Sequence, residues 1–412
     1  MTQSNDYEPQ NKRPEWNLMI DPAVKSMSFN RYLAHIAELT SEVLIPGEEE
    51  LVAAGAVPQR ILNRMIDAGL FGISIPRKSG GLGWSMEEQV RLTLEFTRAS
   101  LVYRSRFSTV IGLCSQGLID HGTQEQQESL LPSMAAGETV TAFGLTEPEA
   151  GSDAQSLQTR AVRVGDEWLL NGSKRFITNA AWADLLFIFA RTTEGISTFL
   201  VPRDTPGVST RAADTMNGHA EAPVGEIELA EVRVPDSALV GGVEGNGMQM
   251  ALRGINHARL HVAATAVGQA TRMLEETAHH VNSRHQFGGS LAELGVVQDS
   301  LGACFAQLEA GRALTLEAAI AFDLGKVPRH RISAAKLFCT EMASQVADTC
   351  VQLLGGDGIV GRHPVPRMWR DVRALRIYEG SSPVHRRNLG RAMAKESRLH
   401  DRLPDSYRID RR

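Results

Sequence analysis

The chain has 412 residues, 42% of them hydrophobic, enough to bury the cores of two or three packed domains. A formal net charge of −5 and a pI near 6.2 lack the basic surplus that nucleic-acid binding needs. No apolar run reaches the roughly 18 residues that span a bilayer, and the polar start lacks an apolar signal core, so the expectation is a cytoplasmic protein.

Residues 1–27 are polar, carry Pro9, Pro14 and Pro22, and read as a loosely ordered arm. From Ser28 apolar residues recur at helical spacing: Leu33, Ile36, Leu39 and Val43, then Ile61, Met65, Ile66 and Leu70. Ser79-Gly80-Gly81-Leu82-Gly83 breaks the pattern, one helix covers about 86–99, and others continue to about 135. Together they make an N-terminal helical domain over 28–141.

Strands take over after Thr141. In Phe143-Gly144-Leu145-Thr146-Glu147-Pro148-Glu149-Ala150-Gly151-Ser152-Asp153, Pro148 is expected to stop a helix and Gly151 to permit an unusual turn. Thr146 and Ser152 place two hydroxyls there, suited to holding an extended polar ligand. Val162 to Leu170 reads as a hairpin closed by Asn171-Gly172. Leu185–Ala190 and Ser197–Val201 read as buried strands, and Val224–Val234 as another ended by Pro235. A middle antiparallel β domain over 142–240 follows.

Helical spacing returns near residue 246. Leu260, Ala263, Val267, Ala270, Leu274 and Val281 mark one long helix, with others over 291–324, 331–354 and Arg370–Ala394. These make a C-terminal four-helix bundle over 241–395, with a tail over 396–412. The fold class is α+β, mostly α. Cys114, Cys304, Cys339 and Cys350 lack metal-ligand spacing and read as buried free thiols.

Three patterns carry no separate chemistry. Gly356-Asp357-Gly358-Ile359-Val360-Gly361 fits a dinucleotide fingerprint but follows a helix, so its glycines end that helix. His257 and His261 could share a helix face, yet the Glu and third ligand of a zinc site are missing, and they read as structural. The late arginines Arg370, Arg373, Arg376, Arg386, Arg387 and Arg391 are mixed with acids and apolar residues and suit solvent or phosphate.

The Phe143–Asp153 string, followed by Asn171-Gly172-Ser173-Lys174-Arg175-Phe176-Ile177-Thr178-Asn179, resembles the flavin-binding signature of the acyl-CoA dehydrogenase family. The helix–β–helix order matches that family's fold over about 28–395. The resemblance implies FAD as cofactor, an acyl-CoA substrate, an electron-transfer flavoprotein as acceptor, and a homotetramer. It implies dehydrogenation to the trans-2-enoyl-CoA. Tyr378-Glu379-Gly380 stands where the family's base sits, so Glu379 would take the α-proton and flavin N5 the β-hydride. The backbone N–H of Glu379 and the flavin ribityl hydroxyl would steady the thioester oxygen. A subset of the family carries its base where Ala258 stands here, and alanine cannot take a proton.

Other roles follow from the same resemblance. Phe143, Leu145 and Thr146 would run along the isoalloxazine edge, and Ser152 would lie near pyrophosphate and substrate. Phe176, Ile177 and Thr178 would lie beside the ring, with Phe176 in place of a common Trp and its indole donor. Arg284, Gln286 and Phe287, with Gln352 and Gly356, would reach the FAD of a neighbouring subunit, and Ser381 would add a cofactor contact. Arg259 and Gly380 would face the substrate, and Arg391 the CoA. Gly295 and Pro383 depart from the family pattern at two FAD contacts. Tyr103-Arg104-Ser105 resembles a segment of glutaryl-CoA dehydrogenases in which Arg and Ser meet a distal carboxylate. Three alternatives stand beside dehydrogenation: a flavin oxidase or monooxygenase on the same fold, a non-catalytic flavin- or acyl-binding protein, and a carrier-protein thioester as substrate.

Overall fold

The computed structural model describes residues 19–213, 216–325, 329–360 and 363–399. Helix α1 (Pro22–Lys25) opens it, with Asp21 accepting from the Ala23 N–H at 2.7 Å and Pro22 in the first turn. Ile20 and Val24 are buried, so the end of the expected arm is docked. Two apolar side chains in a polar stretch are enough to anchor it; residues 1–18 of the arm lie outside the described residues.

Helices α2 (Phe29–Leu39), α3 (Glu48–Ala54), α4 (Gln59–Asp67), α5 (Met86–Phe96), α6 (Leu101–Ser108), α7 (Ser115–His121) and α8 (Gln124–Ala135) follow. Reciprocal capping boxes start α5 (Ser85 with Glu88) and α8 (Thr123 with Gln126). A buried π-helical turn, Thr109–Cys114, joins α6 to α7; such turns often mark functional sites.

One seven-stranded sheet forms the middle: β1 (Thr141–Gly144), β2 (Arg160–Val164), β3 (Glu167–Ile177), β4 (Leu185–Thr192), β5 (Gly195–Pro202), β6 (Val208–Ala212) and β7 (Gly225–Pro235). Three expectations are corrected here. The segment before Pro148 is strand β1, with Phe143 opposite Phe187, and Pro148 sits in a turn closed by bonds between Glu147 and Ala150. The sheet is mixed, because β1 runs parallel to β4 and Arg160 of β2 pairs in parallel with Arg191. A strand arriving from a helical domain, without a hairpin, is free to enter in that direction.

The third correction concerns Asn171-Gly172. The hairpin turns at Gly165-Asp166, with Val164 opposite Glu167. Asn171-Gly172 lies inside β3 at a register shift against β7, where the Asn171 side chain accepts from the Glu231 N–H at 2.8 Å. A Cβ on Gly172 would stand 2.5 Å from Thr159 Oγ1 and 2.7 Å from its Cα. The glycine therefore permits a close approach of two chains rather than a turn.

The C-terminal part comprises α9 (Gly247–Ser283), a hairpin of β8 (His285–Gln286) and β9 (Gly289–Ser290), α10 (Gly295–Asp323), α11 (Arg329–Leu354), α12 (Pro364–Val372) and α13 (Ser382–Leu399). Helices α9, α10 and α11 pack together around Val267, Ala270, Cys339 and Met342, and α13 lies on α11. Asp323, at the end of α10, caps α5 through the Met86 and Glu87 N–H groups (2.8 and 2.9 Å). The glycines after Leu354 do end α11, in a 3-10 turn over Gly355–Gly358; residue 361 lies outside the described residues. All four cysteines are free and buried. No described helix is long and apolar enough to cross a membrane.

The helix expected over Arg370–Ala394 is broken. Helix α12 ends at Val372, a 3-10 turn covers Arg373–Arg376, and α13 starts at Ser382. Between them Glu379 and Gly380 have φ of 54° and 95°. Two successive left-handed residues cannot continue a right-handed helix.

The crowding at Gly172 carries an expected outcome. In chemical denaturation Gly172→Ala should destabilise the fold by about 1–3 kcal/mol more than alanine at Gly165, which stands beside open space and costs backbone strain alone. Equal losses would show that Gly172 serves only its dihedral.

Candidate active site

The two halves of the signature are joined by a buried ion pair. Lys174, on β3, has a side chain 0% exposed; that of Glu147, in the loop after β1, is 5% exposed. Lys174 Nζ donates to Glu147 Oε1 at 2.7 Å and to the Phe189 carbonyl at 2.6 Å. Glu147 also accepts from the N–H groups of Gln158 and Thr159. Burial pushes the Lys174 ammonium down to about 8, against the pull of Glu147. Burial pushes the Glu147 carboxyl up, but its donors outweigh this and hold it below the usual range. The Arg175 N–H donates to the Thr146 carbonyl at 2.9 Å, so the loop and strand are also stitched through backbone.

This stitching gathers one group of expected site residues. Phe143 is half-buried with its ring 4.7 Å from that of Phe189; Leu145 is buried and Thr146 half-buried. Ser152 is exposed on the same loop. Phe176 is 62% exposed on a left-handed backbone (φ 59°), with the Arg175 guanidinium 4.8 Å from its ring. Ile177 is buried and Thr178 half-buried. Asn179 then donates to Thr109 Oγ1 (3.1 Å) and the Ser105 carbonyl (3.3 Å), tying this wall to α6.

A second group surrounds Glu379. Arg259, on α9, donates from Nε to the Glu379 carbonyl at 3.0 Å and from Nη1 to Asn256 at 2.9 Å. Lys336, on α11, is fully buried and donates to the Gly380 carbonyl at 2.7 Å. His385 Nε2, on α13, lies 3.3 Å from the Glu379 carbonyl, and since a carbonyl only accepts, Nε2 carries the hydrogen. No hydrogen bond among the described residues uses the Glu379 N–H. Burial pushes the Glu379 carboxyl above its usual range, while Arg259, Lys336 and Arg104 pull it back. The residue as a whole is nonetheless only half-buried. Glu379 is thus a carboxylate with a raised proton affinity and access to a ligand, as a general base needs.

Arg104 sits on α6 at 8% exposure, and burial pushes its guanidinium down against the pull of Tyr378 and Glu379. Among the described residues it has no hydrogen-bonded or ion-paired partner, and its Nε is buried without one. Ser105 is turned away, donating to the Val102 carbonyl of its own helix at 2.6 Å. The Ser105 hydroxyl is thus used within its own helix, as an α-helical serine readily bonds back to the preceding turn. Close by, His261 is held between Thr93 (3.0 Å) and Gln89 (3.1 Å), and burial keeps His257 and His261 neutral, His257 down to about 3.

The remaining expected contacts stand apart. Arg284, Gln286 and Phe287 are exposed around the β8–β9 hairpin, Phe287 at 92% and φ 54°. Arg284 is about 37 Å from Arg259 along α9, and Gln352 about 24 Å from Lys336 along α11, at roughly 1.5 Å per residue. Gln352, Gly356 and Arg391 are exposed, Ser381 half-buried. Two neighbours of Glu379, Lys336 and His385, have no counterpart in the sequence reading. The signal for Lys336 was present: it shares a stripe with Thr340 and Ala343, all buried, so a charge sits inside an apolar helical face.

The Lys174–Glu147 pair makes a direct prediction. Glu147→Gln leaves the buried ammonium without its counter-charge and should cost about 3–5 kcal/mol in chemical denaturation. A loss under 1 kcal/mol would mean that the pair is dispensable.

Three family models match the chain in order: the acyl-CoA dehydrogenase N-terminal domain over residues 30–138, the middle domain over 142–232 and the C-terminal domain over 245–394. The caffeyl-CoA reductase-Etf complex subunit CarC of Acetobacterium woodii is 36% identical over 352 residues, covering 84% of this chain and 92% of its own. Glutaryl-CoA dehydrogenase of Desulfococcus multivorans is 33% identical, covering 78% and 84%. Among solved structures, glutaryl-CoA dehydrogenase from Mycobacterium smegmatis in complex with FADH2 superposes with a TM-score of 0.84 at 28% identity, covering 94% of this chain and 98% of its own. The chain therefore belongs to the acyl-CoA dehydrogenase family and is an FAD-dependent oxidoreductase.

Proposed function

We propose that the protein oxidises an acyl-CoA thioester between Cα and Cβ, with Glu379 taking the α-proton. The observation that carries this reading is the environment of Glu379: a raised carboxylate, accessible to a ligand, on a turn whose carbonyl is anchored while its N–H is unused. Breaking the Cα–H bond sends the proton to Glu379 and leaves charge on the thioester oxygen. The free Glu379 N–H is a donor for that oxygen, and Arg259 and Lys336 give the surroundings a favourable sign. Bound FAD supplies the acceptor for the β-hydrogen.

The residues fit such a cofactor by their chemistry. Phe143 and Phe176 offer aromatic faces, Leu145 and Ile177 aliphatic ones, and Thr146, Thr178 and Ser152 hydroxyls, which suits a flat ring with a polar edge and a phosphate tail. Ser381 and Gly380 would border it from the Glu379 side, and exposed Arg391 would meet the CoA. The separations along α9 and α11 favour Arg284, Gln286, Phe287, Gln352 and Gly356 serving the cofactor of a neighbouring copy, in the homotetramer that the family resemblance implies. The relative in an Etf complex supports an electron-transfer flavoprotein as partner. Relatives named as reductases favour the reverse direction as the alternative, in which Glu379 would return the proton.

A second observation favours a dicarboxylic acyl chain. Arg104 is a buried guanidinium with no counter-charge in ion-pair contact among the described residues, although Tyr378 and Glu379 act on it electrostatically. A terminal carboxylate would supply that charge through a bidentate pair, and the glutaryl-CoA dehydrogenase relatives are consistent with it.

Anaerobic flavin bleaching across a panel of acyl-CoAs, glutaryl-CoA included, tests both readings. Glu379→Gln should retain FAD and bleach about 10²–10⁴-fold more slowly. If no acyl-CoA reduces fully loaded protein, the dehydrogenase reading is wrong. A base must be deprotonated to act, so with a raised pKa the wild-type rate should fall as pH drops through a value above the usual carboxylate range of about 4.3; a flat profile down to that range would contradict it. Arg104→Gln should lower kcat/KM for glutaryl-CoA by about 30-fold or more, the loss on truncating one partner of a buried charge pair, and spare butyryl-CoA. Equal effects on both substrates would remove the carboxylate role.

A further inference from the structure

Two carbonyls of the Glu379 turn are held from three helices. The Glu379 carbonyl accepts from Arg259 of α9 and His385 of α13, and the Gly380 carbonyl accepts from Lys336 of α11. We propose that Lys336 is a positioning residue for Glu379, fixing the turn through the Gly380 carbonyl and keeping the carboxylate ionised through its own charge. The proposal rests on the reading of Glu379 as the base.

The geometry explains why a donor is needed. Left-handed backbone at a non-glycine residue is unfavourable and persists only where the surroundings over-determine it. Neither carbonyl serves α13, whose first turn uses the Ser381 carbonyl for the His385 N–H. The side-chain donors replace those lost backbone bonds. Their convergence leaves little room, since a Cβ on Gly380 would stand 3.0 Å from His385 Nε2 and 3.4 Å from Arg259.

The chemistry explains why the donor is a lysine. A neutral donor would satisfy the carbonyl, but only a cation also opposes the burial that raises Glu379. The titratable groups around Lys336 are Glu379 on the turn, Arg259 on α9, His385 on α13 and Glu341 on α11 itself. Burial keeps His385 neutral, down to about 4, and Glu341 is engaged by Arg376 at 2.7 Å and Arg386 at 3.6 Å. Burial pushes Lys336 down to about 8, against the pull of Glu379. The two groups are therefore linked: as pH rises through about 8, Lys336 loses its proton, its pull on Glu379 ends and its bond to Gly380 weakens.

The link can be read without turnover. In FAD-loaded protein, infrared titration follows the Glu379 carboxyl, with Glu379→Gln used to assign its band. Lys336→Gln keeps a donor and removes the charge. It should raise the Glu379 pKa by about one unit, a tenfold gain in proton affinity, with FAD content unchanged, and it should lower kcat with KM unaltered. Lys336→Arg should restore the wild-type value. An unchanged Glu379 pKa in Lys336→Gln would overturn the proposal. Should that variant not fold, the wild-type titration decides: a second perturbation of the Glu379 band near pH 8 is expected, and its absence is equally fatal. Because the titration needs no substrate, inactivity towards every acyl-CoA would count against the functional reading alone.

Discussion

The structure turns on a lysine taken out of water. Lys174 is fully buried and surrounded by strands, so it must find its partners inside the protein or lose its proton. It finds Glu147 and the Phe189 carbonyl, and that choice dictates the local topology. For Glu147 to reach it, the chain leaving β1 must pass across β3, which the parallel pairing of β1 with β4 makes possible. Replacing both partners with apolar residues could be nearly neutral, since buried pairs often contribute little net stability. What the pair provides is a specific crossing of a loop and a strand, and the wall formed by Phe143 to Ser152 and Phe176 to Thr178 is built on that crossing.

The same device recurs on the other side of the site. Lys336 is a second buried lysine that donates to a backbone carbonyl, here on the turn carrying Glu379. Lys174 reaches a carbonyl of strand β4, whereas Lys336 anchors irregular backbone that hydrogen bonds within helices leave unsatisfied. The surroundings of Arg104 are organised differently. Arg104 is delivered by α6, whose register against the sheet is held by the Asn179 bonds to Ser105 and Thr109. The neighbouring π turn brings Gly112 close enough to α9 that a Cβ there would lie 3.4 Å from His257 Nδ1. Glu379 is thereby surrounded by charge from α6, α9 and α11, three helices far apart in sequence.

Much of this was legible because it is local. Leu260 to Val281 repeat at helical spacing, and α9 runs through them. Leu185–Ala190 is an unbroken apolar run, and it is a buried central strand. Phe143 to Ser152 and Phe176 to Thr178 form continuous wall segments, so a short motif could locate them. The misreadings were also local rules, overruled from a distance. Asn171-Gly172 is a good turn dipeptide, but Thr159 packs against Gly172 and makes the glycine a contact. Arg370–Ala394 has helical composition, yet donors on α9, α11 and α13 stabilise a left-handed break at Glu379.

The sequence by itself determined the family, the order of helical and β segments and the FAD signature, and it pointed to Glu379 as the proposed base, because each is written in residues adjacent along the chain. The tertiary structure alone decided the parallel entry of β1, the burial of Arg104 without an ion-paired partner among the described residues, and the meeting of Arg259, Lys336 and His385 on two carbonyls. These depend on which side chains lose water together. Solvation and charge balance are properties of a packed neighbourhood, and no spacing within one segment encodes them.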